Sequence, residues 1–144
     1  LPPEAQAQAG FAEAELAAKY FVELQYYVAQ TNDLATWEQV IHPESPSGKQ
    51  VIENTHKRQA DLVRLVHEGL SISPLRAEQG QEDADLFRVF LEVHMADELT
   101  VSSDGREIDS DGDRTLYVTS YVKHLEGRWI LVDSSFSEER PEGL

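Results

Sequence analysis

The chain has 144 residues, 40% hydrophobic and 27% charged, which suits a single domain with one buried core. Its formal net charge of −15, from 27 acidic against 12 basic side chains, repels phosphate backbones and anionic headgroups, so nucleic acid is not an expected partner. There are no cysteines, which excludes disulfides, thiolate metal sites and cysteine nucleophiles, and no apolar run long enough for a membrane-spanning helix.

Residues 1–10, LPPEAQAQAG, are rich in Pro, Ala and Gln and read as a tether. The start Leu1-Pro2-Pro3, without an initiator Met, points to a processed chain whose targeting segment lies outside it. From Phe11 to Gln30 the period is helical. At about 100° per residue, Phe11, Ala14, Ala17, Ala18, Phe21, Val22, Leu24, Val28 and Ala29 share one face, with Glu13, Lys19 and Glu23 opposite. Thr31-Asn32-Asp33 supplies a stop and a new N-cap, and Leu34 to Ile41 makes a short second helix ended by His42-Pro43. Ser47 or Gly48 caps a third helix, Lys49 to Glu68, with Val51, Ile52, Leu62, Val63 and Val66 on its face and Gly69 as its stop.

After Gly69 the period changes to two. Leu70 to Leu75 is a short strand. Leu86 to Met95 alternates, with Phe87, Val89, Leu91, Val93 and Met95 on one face and Arg88, Glu92 and His94 on the other. Thr115 to Leu125 and Trp129 to Phe136 follow, joined by the tight-turn pair Glu126-Gly127. The acidic stretches RAEQGQEDAD and SSDGREIDSDGD read as exposed hairpin loops, and 138–144 as a flexible tail. The expected fold is α+β: one domain over 11–137, with three N-terminal helices packed on a curved antiparallel sheet.

Pro3-Glu4-Ala5, Gly10-Phe11-Ala12, Phe21-Val22-Glu23 with Tyr26-Tyr27, Thr31-Asn32-Asp33 and the turn His42-Pro43-Glu44-Ser45 together resemble an actinobacterial lipoprotein family of unknown function. Gly127-Arg128-Trp129-Ile130-Leu131-Val132 is similar to its closing strand. The resemblance implies a domain held outside the membrane by a lipid anchor and tether. It also implies the cone fold, nuclear transport factor two-like or cystatin-like, that SnoaL-like cyclases and ketosteroid isomerases share. Where that family usually has two cysteines, this chain reads Ser45-Pro46-Ser47-Gly48. The disulfide that the resemblance implies is therefore absent, and two prolines stiffen the turn instead. His42 has no neighbouring ligands, so the segment reads as a connector between helices.

Such a cone encloses a pocket between the first and third helices and the concave sheet face. Its candidate lining is the set of polar residues that interrupt apolar stripes: Tyr20, Gln25 and Tyr27 in the first helix, Thr55 and Gln59 in the third, and Asp133, in phase with Trp129 and Leu131. Tyr26 and His56 lie at the stripe edges. The plainer reading is ring packing with hydroxyls at the rim, amides on backbone groups, and a strand-end hydrogen bond for Asp133.

His94 and His124 lack placed carboxylates, so no metal centre is assigned to them. The stretch EIDSDGD imitates part of a calcium loop, yet Val118 stands where the bidentate Glu belongs, and a solvated loop is the better reading. No acid–base set, nucleotide loop, serine elbow or zincin motif occurs, so no catalytic residue, metal or cofactor is assigned.

The functional expectation is a non-catalytic cell-envelope lipoprotein domain that binds a small molecule or an envelope protein. It meets the membrane only through an anchor outside this chain. Arg88, Phe90 and Glu92 on the outer sheet face are a candidate homodimer surface. The alternative is a small isomerase- or cyclase-like enzyme, with Asp133 as base and Tyr20, Tyr27 or His94 as its proton-transfer partner.

Overall fold

Residues 9–144 are described by the computed structural model; the tether expected at the N-terminus lies, over residues 1–8, outside the described residues. Helix α1, Phe11–Thr31, buries Ala14, Ala17, Ala18, Phe21, Val22, Leu24, Val28 and Ala29, spaced by three and four residues as one helical face requires. The small alanines bring its backbone close to the strands beneath. Phe11, expected on that face, is 52% exposed, although its ring meets Phe87 edge-on at 5.7 Å. Asn32 ends α1 in the left-handed conformation, φ 60°, donating its N–H to Val28 O at 2.7 Å. The Asp33 carboxylate then accepts from Ala35 N at 3.1 Å, and α2 runs Ala35–Val40, slightly shorter than expected.

Helix α3 runs Pro46–Asp61, which corrects the expected span of Lys49 to Glu68 at both ends. Its cap is Ser45, whose Oγ accepts from Gly48 N at 2.9 Å, with Pro46 in the first turn where its missing N–H costs nothing. Trp37, fully buried, donates Nε1–H to Gly48 O at 3.2 Å. His42 is occupied as a connector residue: its N–H donates to Leu131 O at 2.8 Å and its Nδ1 accepts from Glu44 N at 3.0 Å.

The helix stops at Leu62, held at φ 57°, and Val63–Glu68 is strand β1, not a continuation of the helix. Gly69 has another use. At φ 62° it lies against Ala96, so close that an added Cβ would stand 2.9 Å from the Ala96 Cβ. That close approach allows a corner between strands.

The remaining strands are β2 Ser71–Gln79, β3 Leu86–Met95, β4 Asp97–Ser102, β5 Glu107–Asp111, β6 Arg114–Leu125 and β7 Arg128–Ser137. The single curved sheet that was expected is two antiparallel sheets, ordered β2-β3-β6-β7 and β1-β4-β5. They adjoin at the Gly69 corner: β1 pairs β4 up to Glu68↔Asp97, Ala96 N donates to Glu68 O at 2.9 Å, and β2 pairs β3 from Ser71↔His94 onward. Part of each expected loop is strand, since β2 reaches Gln79 and β5 occupies 107–111. Every residue of β5 is exposed, so neither face carries the apolar alternation that marks a strand.

The core lies between α1 and the four-stranded sheet. Phe87, Val89, Leu91, Val93 and Met95 of β3, Val118 and Val122 of β6, and Trp129 and Leu131 of β7 are all buried there. On the outer face, Arg88 pairs with Glu78 and lies over the Phe90 ring at 5.2 Å. Arg140, in the segment read as a tail, reaches Glu92 at 3.5 Å and sits over Tyr117 at 5.8 Å.

Candidate functional site

At the end of the cone away from Phe87 and Trp129, the inner faces of the elements diverge and leave a cavity of about 280 Å³. Helix α1 contributes Gln25, Tyr26 and Ala29, and α3 contributes Val51, Asn54 and Arg58. Leu65 and His67 come from β1, Glu98 from β4, Arg114 and Leu116 from β6, and Phe136 from β7. Strand register explains the charges. His67 and Glu98 are direct cross-strand partners, so they project from the same face. Arg114 is paired with Met95 and stands in phase with Leu116 and Val118, which extends the inner face of β6 beyond the apolar core.

Glu98 is the hub. Its Oε2 accepts from His67 Nε2 at 2.8 Å and from Arg114 Nη2 at 3.4 Å, with the His67 side chain 3% and the Glu98 side chain 15% exposed. The His67 hydrogen bond, outweighing burial and helped by the charges of Arg114 and Arg58, holds the Glu98 pKa below the ordinary glutamate value. Glu98 is therefore a carboxylate, an acceptor only, and His67 must carry its hydrogen on Nε2. Tyr26 packs edge-on against the His67 ring at 4.4 Å. Burial, with the Glu98 charge adding to it, pushes the Tyr26 phenol up to about 12, so it stays protonated.

Arg58 is held from behind. Its Nε donates to Asn32 Oδ1 at 2.9 Å and its Nη2 to Thr55 Oγ1 at 3.0 Å. Asn32 in turn donates to Val63 O at 2.9 Å, and Thr55 to Val51 O at 2.7 Å. Backbone on two elements thus fixes the guanidinium. Among the described lining residues two guanidinium groups face one carboxylate, inside a chain whose total charge is −15.

Of the residues singled out from the sequence, Gln25 lines the cavity directly. Thr55 is buried behind Arg58 as its positioning partner. Tyr20 packs beside Phe21 at 5.6 Å, part of the core margin. Tyr27 is 47% exposed and reaches Asp33 at 3.3 Å, and Gln59 is exposed and donates to Asn32 O at 3.1 Å; neither lines this cavity.

Asp133 lies in an adjoining cleft, where Oδ1 accepts from Ser47 N at 3.2 Å and from Ser134 N at 2.9 Å. A bulge between Leu131 and Asp133 explains its displacement: Val122 pairs Leu131 while its neighbour Tyr121 pairs Asp133, so Val132 is the extra residue. Beyond it the phase is reversed, and Phe136, in place of Asp133, faces the cavity. His94 pairs with Asp113 at 2.5 Å on the outer side, and His124 meets Trp129 edge-on at 5.0 Å.

The residues that the sequence reading passed over are Arg58, His67, Glu98 and Arg114. The one local signal was a charged residue, Arg114, in register with the apolar stripe of β6.

Residues 1–135 match the model of DUF6318, a family of unknown function. A search among curated proteins finds no match. Solved structures share the fold at low identity. The intermembrane space region of the chloroplast protein ARC6 superposes with a TM-score of 0.67 at 10% identity, covering 87% of this chain and 92% of that one. An uncharacterized protein with a cystatin-like fold from Caulobacter vibrioides gives 0.51 at 11% identity, covering 90% and 92%. Naphthalene 1,2-dioxygenase with indole bound in its active site gives 0.58 at 14% identity, covering 92% and 81%. These likenesses concern the fold, a mixed α+β arrangement of cystatin-like type with helices on antiparallel strands.

Proposed function

The chain belongs to the DUF6318 family, and for it we propose a non-catalytic domain that binds a small molecule in the open end of its cone. One observation carries this reading: the only carboxylate lining the cavity, among the described residues, is Glu98, and its pKa is lowered by His67, Arg114 and Arg58. A carboxyl that donates a proton near neutrality, as a general acid must, needs its pKa raised toward the working pH. Glu98 is instead pinned as an anion, a structural hub that fixes the positions of its cationic neighbours. The isomerase- or cyclase-like alternative rested on Asp133, which serves to tie β7 to the start of α3.

The cavity is also of ligand size. At about 280 Å³ it sits near the lower edge of small-molecule pockets, and it combines apolar walls with a few convergent polar groups. We extend the reading to the cell surface, with the domain carried on a lipid anchor. The support is the resemblance of the first helix and the following turn to envelope lipoproteins. Metabolic labelling of the full-length protein with a palmitate analogue tests that setting; an unlabelled protein recovered wholly in the aqueous phase contradicts it.

A fragment screen read by ¹H–¹⁵N NMR tests the binding site. The expected result is saturable shifts clustered at Tyr26, His67, Glu98, Arg114 and Phe136. Shifts confined to the outer sheet face, at Arg88, Phe90 and Glu92, would overturn the proposal.

A further inference from the structure

We propose that the ligand is a small amphiphilic carboxylate, its anionic head on Arg114 and Arg58 and its apolar body against Val51, Leu65, Leu116 and Phe136. This rests on the reading of the cavity as a ligand site, and it names the chemistry of the occupant.

Charge is the first argument. Glu98 neutralises one of the two guanidiniums, so these three groups together leave one positive charge on the lining. A monoanion balances it. A dianion such as a phosphate monoester would leave excess negative charge within a chain already at −15. A planar carboxylate also matches the fork of a guanidinium, which receives it through two parallel hydrogen bonds.

Unfilled hydrogen-bonding capacity is the second argument, independent of the first. Arg114 spends Nη2 on Glu98 while its Nε is buried and unpartnered. Buried polar atoms in folded proteins are nearly always paired, so the orphaned Arg114 Nε, on a residue that lines the cavity, is a donor with no partner inside the fold. A guanidinium Nε–H can only donate, and an acceptor oxygen is what it lacks.

Size is the third. The cavity, about 280 Å³ and open on one side, has room for an acid with a short chain or a single ring. Leu65, Leu116, Val51 and Phe136 leave the remainder of such a molecule on apolar surface, while Arg58, braced by Asn32 and Thr55, meets its head without reorganising.

The test is calorimetry and ¹H–¹⁵N NMR of the intact chain with octanoate and with octan-1-ol, equal in chain length but not in charge. Expected is saturable octanoate binding that shifts the amides of Tyr26, His67 and Arg114. Binding of octan-1-ol should be weaker by about tenfold or more. Arg114→Gln should weaken octanoate by a similar factor, Arg114→Lys, which keeps the charge and loses the fork, should fall between wild type and Arg114→Gln, and each variant is scored only after its spectrum shows native dispersion. If Arg114→Gln fails to fold, the octanoate-to-octanol ratio on the wild-type chain still decides. Equal binding of both compounds at these residues overturns the carboxylate assignment and leaves the ligand-site reading standing. No shift at any lining residue with either compound overturns both.

Discussion

At one end of the cone the ring of Phe87 is clasped between Phe11 and Trp129, with centroids at 5.7 and 5.5 Å. At the other end the same three strands, β3, β6 and β7, finish in Met95, Arg114 and Phe136, and Arg58, Tyr26, His67 and Glu98 close round a cavity. The closed end resembles the inside of any small domain and explains why the chain folds. The open end gathers a buried phenol, a mostly buried carboxylate and two half-buried guanidiniums where apolar side chains would otherwise continue the core. A fold keeps such an arrangement where the charges have work to do, which is the contrast the proposed binding role would account for.

Breaking the closed end has the largest expected effect. Trp129→Ala removes a side chain 3% exposed and should cost about 3–5 kcal/mol in urea denaturation. Glu98→Gln at the open end strips the hub from His67 and Arg114 and should cost less, about 1–3 kcal/mol at neutral pH.

The pH dependence sharpens that second prediction. The Glu98 pKa is lower in the folded state, so its contribution is complete above the unfolded value of about 4.3 and fades as the pH falls through the folded one. The stability gap between wild type and Glu98→Gln should therefore close in acid. Ser45→Ala, which removes the α3 cap, should cost about 1 kcal/mol and leave ligand binding unchanged. Smallest of all, Tyr27→Phe, on an exposed side chain outside the cavity, should alter stability by less than about 0.5 kcal/mol.

The closed end was also the legible end. The spacing of alanines and aromatics in α1 and the alternation of β3 state their buried faces outright, because each is covered on one side only. The open end was hidden for three physical reasons. Leu62, Val63 and Val66 fit a helical face as well as a strand, and the stop that separates them is Leu62 in a left-handed conformation that glycine would have announced. His67 was therefore read into a helix, and its partner Glu98, across a strand pair, has no sequence signature at all.

Asp133 carries the converse lesson. Local alternation placed it inward, and one extra residue, Val132, reversed the phase. Of the helical candidates, Gln25 lines the cavity and Thr55 lies behind Arg58, while Tyr20, Tyr27 and Gln59 lie elsewhere.

The measurement that bears most directly on binding as against catalysis is the titration of the Glu98 side-chain carboxyl, followed by ¹³C NMR and assigned with Glu98→Gln. A midpoint below the ordinary glutamate value of about 4.3 is the predicted result, the mark of a carboxylate fixed as an anion by His67 and two arginines. A midpoint near neutrality would contradict the account and identify the open end of the cone as a site of proton transfer.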